Sequence, residues 1–175
     1  MAKETKIALV TGANRGIGFE TARQLGKNGV TVVVGARSLA AAQKTAATLQ
    51  GEGLDAFPVQ LDVTNAADRK SAAKTVADKY GKLDILINNA GVGPEDGLFN
   101  PKTIETTDEE LQKVFGTNLF ATIAMTREFL PLLKKSSAGR IVNLSSILGS
   151  LTLHADPTVP LQGSNRSPIT PPRLP

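Results

Sequence analysis

Five short apolar runs rich in β-branched residues recur through the first 150 positions, at residues 5–11, 30–36, 54–61, 83–88 and 140–145. Each predicts a strand, and because each is nearly all apolar rather than alternating, each predicts burial on both faces. That is the habit of a parallel sheet covered by crossover helices, so the expected class is α/β, doubly wound. The segments between the runs carry helical spacing. Ile17, Thr21, Ala22 and Leu25 fall on one face, residues 41–49 are rich in helix formers, and residues 66–80 repeat Ala and Val at helical intervals. The longest helix should start near Thr106 or Thr107, where a Glu three positions on completes a capping box, and run to about Pro131. Its inward stripe would be Leu111, Val114, Phe115, Thr122, Met125 and Phe129, with Asn118 on the same face. No internal repeat is visible. After about Leu153 the periodicity stops and six of the ten prolines fall between Pro157 and Pro175, which predicts a disordered tail at 154–175 behind one domain at 1–153.

Composition narrows the chemistry. With 41% hydrophobic and 21% charged residues, the chain reads as one soluble domain, expected to be cytoplasmic, with no membrane span and no signal-type start. It has no cysteine and one histidine, His154, which excludes thiol chemistry and thiolate metal sites and argues against a histidine metal centre. The net charge of +4 is scattered, with no basic run to indicate nucleic acid; a small anionic ligand suits it.

The first predicted strand leads into Thr11-Gly12-Ala13-Asn14-Arg15-Gly16-Ile17-Gly18, and a helix follows at once. A pyrophosphate needs unobstructed backbone N–H groups at a helix N-terminus, a need met by Gly12 and Gly16, while Gly18 would let helix and strand pack closely. The spacing is longer by one residue than the G-x-G-x-x-G fingerprint. This turn resembles the T-G-x-x-x-G-I-G of the short-chain dehydrogenase/reductase family. Asn88-Asn89-Ala90-Gly91 resembles its N-N-A-G, Asn118 its helical active-site Asn, and Val142-Asn143-Leu144-Ser145-Ser146 its serine strand. These motifs are in the family's order and span residues 1 to about 150. The resemblance implies a Rossmann-like sheet of order 3-2-1-4-5 and a carbonyl reductase-like oxidoreductase that transfers hydride between a nicotinamide and a carbonyl or alcohol. The cofactor contacts it implies are Gly12, Asn14, Arg15, Gly16, Ile17 and Gly18 in the turn, Asp62 and Val63 beside the adenine, and Asn89, Ala90 and Gly91. Asp62 also reads as a turn or cap before the next helix.

An NAD site usually ends its second strand on an acidic residue that binds the ribose 2′-hydroxyl. Here the sequence is Gly35-Ala36-Arg37. A guanidinium suits a 2′-phosphate, so Arg37, aided by Arg15, points to NADP, although each arginine alone also reads as a solvated surface charge.

Two catalytic positions follow from the resemblance. Asn118 would break the helix hydrogen bonding locally and hold a water in a proton relay, and the alternative is a purely structural amide. Ser146 would polarise the substrate carbonyl, with Ser145 turned into the sheet, and the alternative is a serine that merely ends a strand. The family's tyrosine and its lysine four residues later have no counterpart. The only tyrosine is Tyr80, no lysine follows Lys135, and the usual places hold Val159 and Gly163. His154 is a poor substitute acid. The chain therefore reads as C-terminally incomplete, with three rival functions: an NADP-dependent reductase in altered form, a catalytically dead NADP-binding module, or a non-functional fragment. The fifth strand should be an open sheet edge beside a partly uncovered helix, which predicts self-association.

Overall fold

The structure, a computed structural model, describes residues 5–93, 106–150 and 152–153. Its sheet holds five parallel strands in the order β3-β2-β1-β4-β5. In chain order the strands are β1 (Ile7–Thr11), β2 (Thr31–Ala36), β3 (Ala56–Gln60), β4 (Ile85–Asn88) and β5 (Arg140–Asn143). The helices are α1 (Gly16–Lys27), α2 (Leu39–Gly51), α3 (Ala66–Tyr80), α4 (Asp108–Phe115) and α5 (Ala121–Leu133). All five predicted strands are present, each shorter than its apolar run. Thr5, Leu54, Leu83 and Ser145 lie outside the ladder, Leu54 N and Leu83 N bonding instead to Leu49 O and Leu132 O.

Two apolar layers clamp the sheet. Leu9, Val33, Leu86, Val76, Met125 and Phe129 pack on the side of α3 and α5, and Val10, Val32, Val34, Ala22, Ala46 and Leu49 on the side of α1 and α2. Every residue of β1 and β2 is buried, as their unbroken apolar runs predict. β5 departs from that reading. All four of its residues are exposed: it is the edge strand, and the described helices leave its faces largely uncovered.

The helix ends explain themselves locally. Asn65 caps α3 by accepting from Ala67 N and Asp68 N, and Thr107 and Glu110 form the predicted capping box on α4. The long helix is not uniform. Between α4 and α5 lies a π-helical turn, Gly116–Phe120, with Asn118 at its centre. The extra residue in this turn changes the rotation of everything before it, so the predicted stripe splits. Met125 and Phe129 are buried, whereas Leu111 and Phe115 are exposed, as is Asn118. α1 also departs from its predicted face at its start, where Ala22 is buried but Ile17 is 65% exposed. His154 and the proline-rich segment 154–175 lie outside the described residues.

Asp84, buried just before β4, ties three elements together. Its carboxylate accepts from Ile7 N at 2.8 Å, from the Ser136 hydroxyl and from Lys82 Nζ at 3.1 Å. Burial alone would raise this carboxyl, but the bonds from Ser136, Ile7 and Lys82 outweigh burial and hold it below the usual carboxylate range. A group that titrates lower when folded stabilises the fold fully above its unfolded pKa, near 4, and loses that contribution as pH falls through the folded value. Urea unfolding at pH 7, 5 and 3 should therefore show stability falling toward pH 3. Asp84→Ala should cost about 2 kcal/mol at pH 7 and flatten part of that slope, because it leaves buried donors unpaired.

Candidate functional site

The strand order reverses between β1 and β4, and the crevice beyond the carboxyl ends of these neighbours is where an open α/β sheet presents ligand sites. Four sequence segments converge there. The first is the turn from Thr11 into α1. Gly12 and Gly16 have φ of +63° and +56°, left-handed conformations that a side chain disfavours, so the chain can reverse sharply into the helix. A Cβ on Gly16 would meet nothing within 4 Å, so the space above this residue is open. A Cβ on Gly18 would lie 2.4 Å from Asn89 Nδ2 and 2.5 Å from Gly12 O, so Gly18 sits where the helix start packs against the β4 exit. No side chain caps α1, and its first turn carries no acidic residue. Its leading N–H groups thus have no side-chain acceptor, and the helix dipole leaves them partly positive.

The second segment, Asn89-Ala90-Gly91, is bolted to the first. The Thr11 hydroxyl accepts from Asn89 N at 3.0 Å and Ala90 N at 2.9 Å, while donating to Ile87 O at 3.2 Å. Asn89 Nδ2 in turn donates to Thr11 O at 2.8 Å and Gly12 O at 3.2 Å. Thr11 therefore acts as a clamp. Its role was not evident in the sequence, where it reads as the last residue of a strand, although a hydroxyl ending an apolar run beside the glycine turn is the available signal.

The third segment is the π-helical turn. Asn118 pairs with the backbone of Val92 in both directions, donating through Nδ2 to Val92 O at 2.8 Å and accepting through Oδ1 from Val92 N at 2.9 Å. Its own carbonyl accepts from the Thr122 hydroxyl at 3.1 Å. The amide thus holds the segment that leaves Gly91 against the distorted helix while remaining exposed. It is not the buried stripe residue that periodicity suggests, because the π turn carries it off that stripe.

The fourth is the exit of β5. Leu144 N donates to Asn88 O at 3.0 Å, and the buried Asn88 donates through Nδ2 to Asn143 Oδ1 at 2.8 Å, so the β4 and β5 ends are locked side by side. Ser145 and Ser146 follow beyond the strand, and both are exposed; the expectation that Ser145 turns into the sheet fails because the strand has already ended.

On the other side of β1, Arg37 follows β2 directly and is exposed. Asp62 sits next to it. Burial raises this carboxyl, but the Thr64 bonds and the positive charges of Arg37 and Arg69 outweigh that and keep it lowered. Val63 is buried beside it. Asn14 and Arg15 are exposed at the entry to α1.

The tyrosine stands elsewhere. Tyr80 ends α3, so it lies toward the amino ends of the strands, opposite the crevice. There it packs edge-on to Phe57 with ring centres 6.3 Å apart, and burial, with a smaller contribution from Asp55, pushes its hydroxyl up to about 12. Among the described residues no three His, Cys, Asp or Glu side chains are grouped to hold a metal ion, and no described helix is long and apolar enough to cross a membrane.

Comparison with known proteins agrees with this arrangement. Residues 6–156 match the short chain dehydrogenase family. A (+)-neomenthol dehydrogenase of Arabidopsis thaliana is 38% identical over 169 residues, covering 86% of this chain and 57% of the relative. An actinorhodin polyketide ketoreductase variant solved with NADPH superposes with a TM-score of 0.75 at 36% identity, covering 83% of this chain and 55% of that one. A metagenomic short-chain oxidoreductase in complex with NADP gives 0.72 at 32%, covering 81% and 62%. The chain spans 50 to 63% of the length of the curated relatives it matches. By its match to the family over residues 6–156 and its likeness to these relatives, this chain belongs to the short-chain dehydrogenase/reductase family of oxidoreductases.

Proposed function

We propose that this chain forms the NADP-binding part of a reductase that passes hydride between NADPH and a carbonyl or alcohol, and that the 175 residues alone bind the cofactor without turning substrate over. The observation that carries the cofactor reading is the basic, acid-free end of β2: Arg37 occupies the corner where a carboxylate would select a free ribose hydroxyl. The turn fits a pyrophosphate, since the space over Gly16 is open and the α1 N–H groups have no side-chain cap. Gly12, Asn14, Gly16 and Ile17 would cradle the phosphates, with Gly18 letting the helix start pack close behind them, Asp62 and Val63 would face the adenine, and Asn89, Ala90 and Gly91 would line the path toward the nicotinamide. When bound, the nicotinamide supplies the hydride.

Ser146 would donate a hydrogen bond to the substrate oxygen from beyond β5. Asn118 would position the wall that Gly91 and Val92 form, and its helix distortion frees local carbonyls to hold water. The proton source is the part these residues lack. Tyr80 is packed at the opposite edge of the sheet, and no Y-x-x-x-K occurs among the 175 residues. The polyketide ketoreductase and the NADP-bound oxidoreductase it resembles support the cofactor class.

Calorimetric titration tests the assignment. NADPH should bind more tightly than NADH, and Arg37→Asp should abolish that difference; equal affinities in the parent chain would sink it. A second copy of this chain is our proposed occupant of the uncovered edge at β5, where Ile141 and Val142, on opposite faces of the strand, are both exposed. Light scattering should then report oligomers, and a monodisperse monomer would refute the association.

A further inference from the structure

An open cleft of about 400 Å³ lies between the entry to α1 and the outer face of α2, with Asn14, Arg15 and Phe19 on one wall and Ala41, Lys44 and Thr45 on the other. None of its lining residues is acidic. Arg15 and Lys44 are exposed and form no ion pair among the described residues.

Side chains on a helix lean toward its N-terminus, so Lys44 projects back over the turn that holds Ala41. The methyl of Ala41 leaves that room unfilled, and the helix start it reaches toward, capped by Ser38, is the one that Arg37 immediately precedes. Lys44 and Arg37 therefore flank the first turn of α2, and Arg15 faces Lys44 across the cleft.

We propose that Lys44 is a specificity residue for the adenosine 2′-phosphate, closing the site from the α2 side while Arg15 and Arg37 approach from the loops. The inference rests on the NADP reading given above. It adds a contact that a strand-end arginine does not supply: a compact, rotatable ammonium able to follow the phosphate, where a forked guanidinium fixes its plane. Because Lys44 is exposed, its contribution is discounted for solvent screening, and the expected loss on removing it is roughly three- to tenfold in affinity.

The test uses the full chain and calorimetry with three probes: NADPH, NADH and adenosine 2′,5′-bisphosphate. Lys44→Gln should weaken NADPH and the bisphosphate by that factor, leave NADH unchanged, and lose less at raised salt than the parent does; Lys44→Arg should restore most of the affinity. Thermal melting of the exposed-site variants checks the fold. If Lys44→Gln leaves NADPH binding unchanged, or weakens NADPH and NADH equally, the role of Lys44 is overturned even where the parent prefers NADPH. If the parent itself shows no preference for NADPH, it is the underlying cofactor reading that fails, and the role of Lys44 with it.

Discussion

Replacing Gly18 by alanine should cost about 3 kcal/mol of stability and at least ~100-fold in NADPH affinity, while Gly16→Ala should cost only about 1 kcal/mol of stability. The two glycines stand two residues apart, but the atoms around them differ. At Gly18 the new methyl would fall 2.4 Å from Asn89 Nδ2 and 2.5 Å from Gly12 O. Asn89 cannot simply swing aside, because the same nitrogen donates to Thr11 O and Gly12 O, and the backbone carbonyl has no rotamer to change. The helix start must move away from the β4 exit, and the phosphate turn moves with it. At Gly16 the methyl meets nothing, and the penalty is that of a left-handed conformation alone. Urea denaturation and NADPH titration of both variants check this contrast. A Gly18→Ala protein as stable as the parent would show that the two segments are not packed as described.

Supplied with NADPH and simple ketones, the chain should turn over at background. Losing a positioned proton donor costs roughly 10² to 10⁴ in rate before any lost anchoring of the cofactor ribose is counted. The only tyrosine cannot compensate, since it ends α3 on the far edge of the sheet, with its hydroxyl pushed up to about 12 by burial. Following NADPH absorbance under saturating substrate measures this. Reduction at about 1 to 10 s⁻¹, an ordinary enzymatic rate, would overturn the proposal that the chain binds without turnover, and His154→Ala would be the first variant to make.

Much of the architecture was legible because it depends on short-range pattern. Unbroken apolar runs predict two-sided burial, and β1 and β2 show it; the Thr107 and Glu110 capping box predicts where α4 begins. The glycine turn was legible for a related reason, since φ above zero and close approach leave few alternatives to glycine. What stayed hidden depends on pairing between distant segments. The exposure of β5 depends on what packs over its faces at the end of the sheet, which its apolar sequence does not encode. Asn118 looked buried because helical periodicity was carried straight through Gly116–Phe120, and a single π turn resets that phase. Thr11, Asp84 and the Asn88–Asn143 pair each bond to partners 52 or more residues away, beyond any local signal.

The proposal that the glycine turn, the β2 end and the Asn-Ala-Gly segment together hold an NADP-type cofactor can be checked at the site itself by hydrogen exchange, read by mass spectrometry on the chain with and without saturating NADPH. Exchange should slow in peptides covering Gly12–Gly18, Arg37–Ala41, Asp62–Val63 and Asn89–Gly91, with NADH protecting the Arg37 peptide less. Protection confined to other parts of the chain, or no protection at millimolar NADPH, would contradict it.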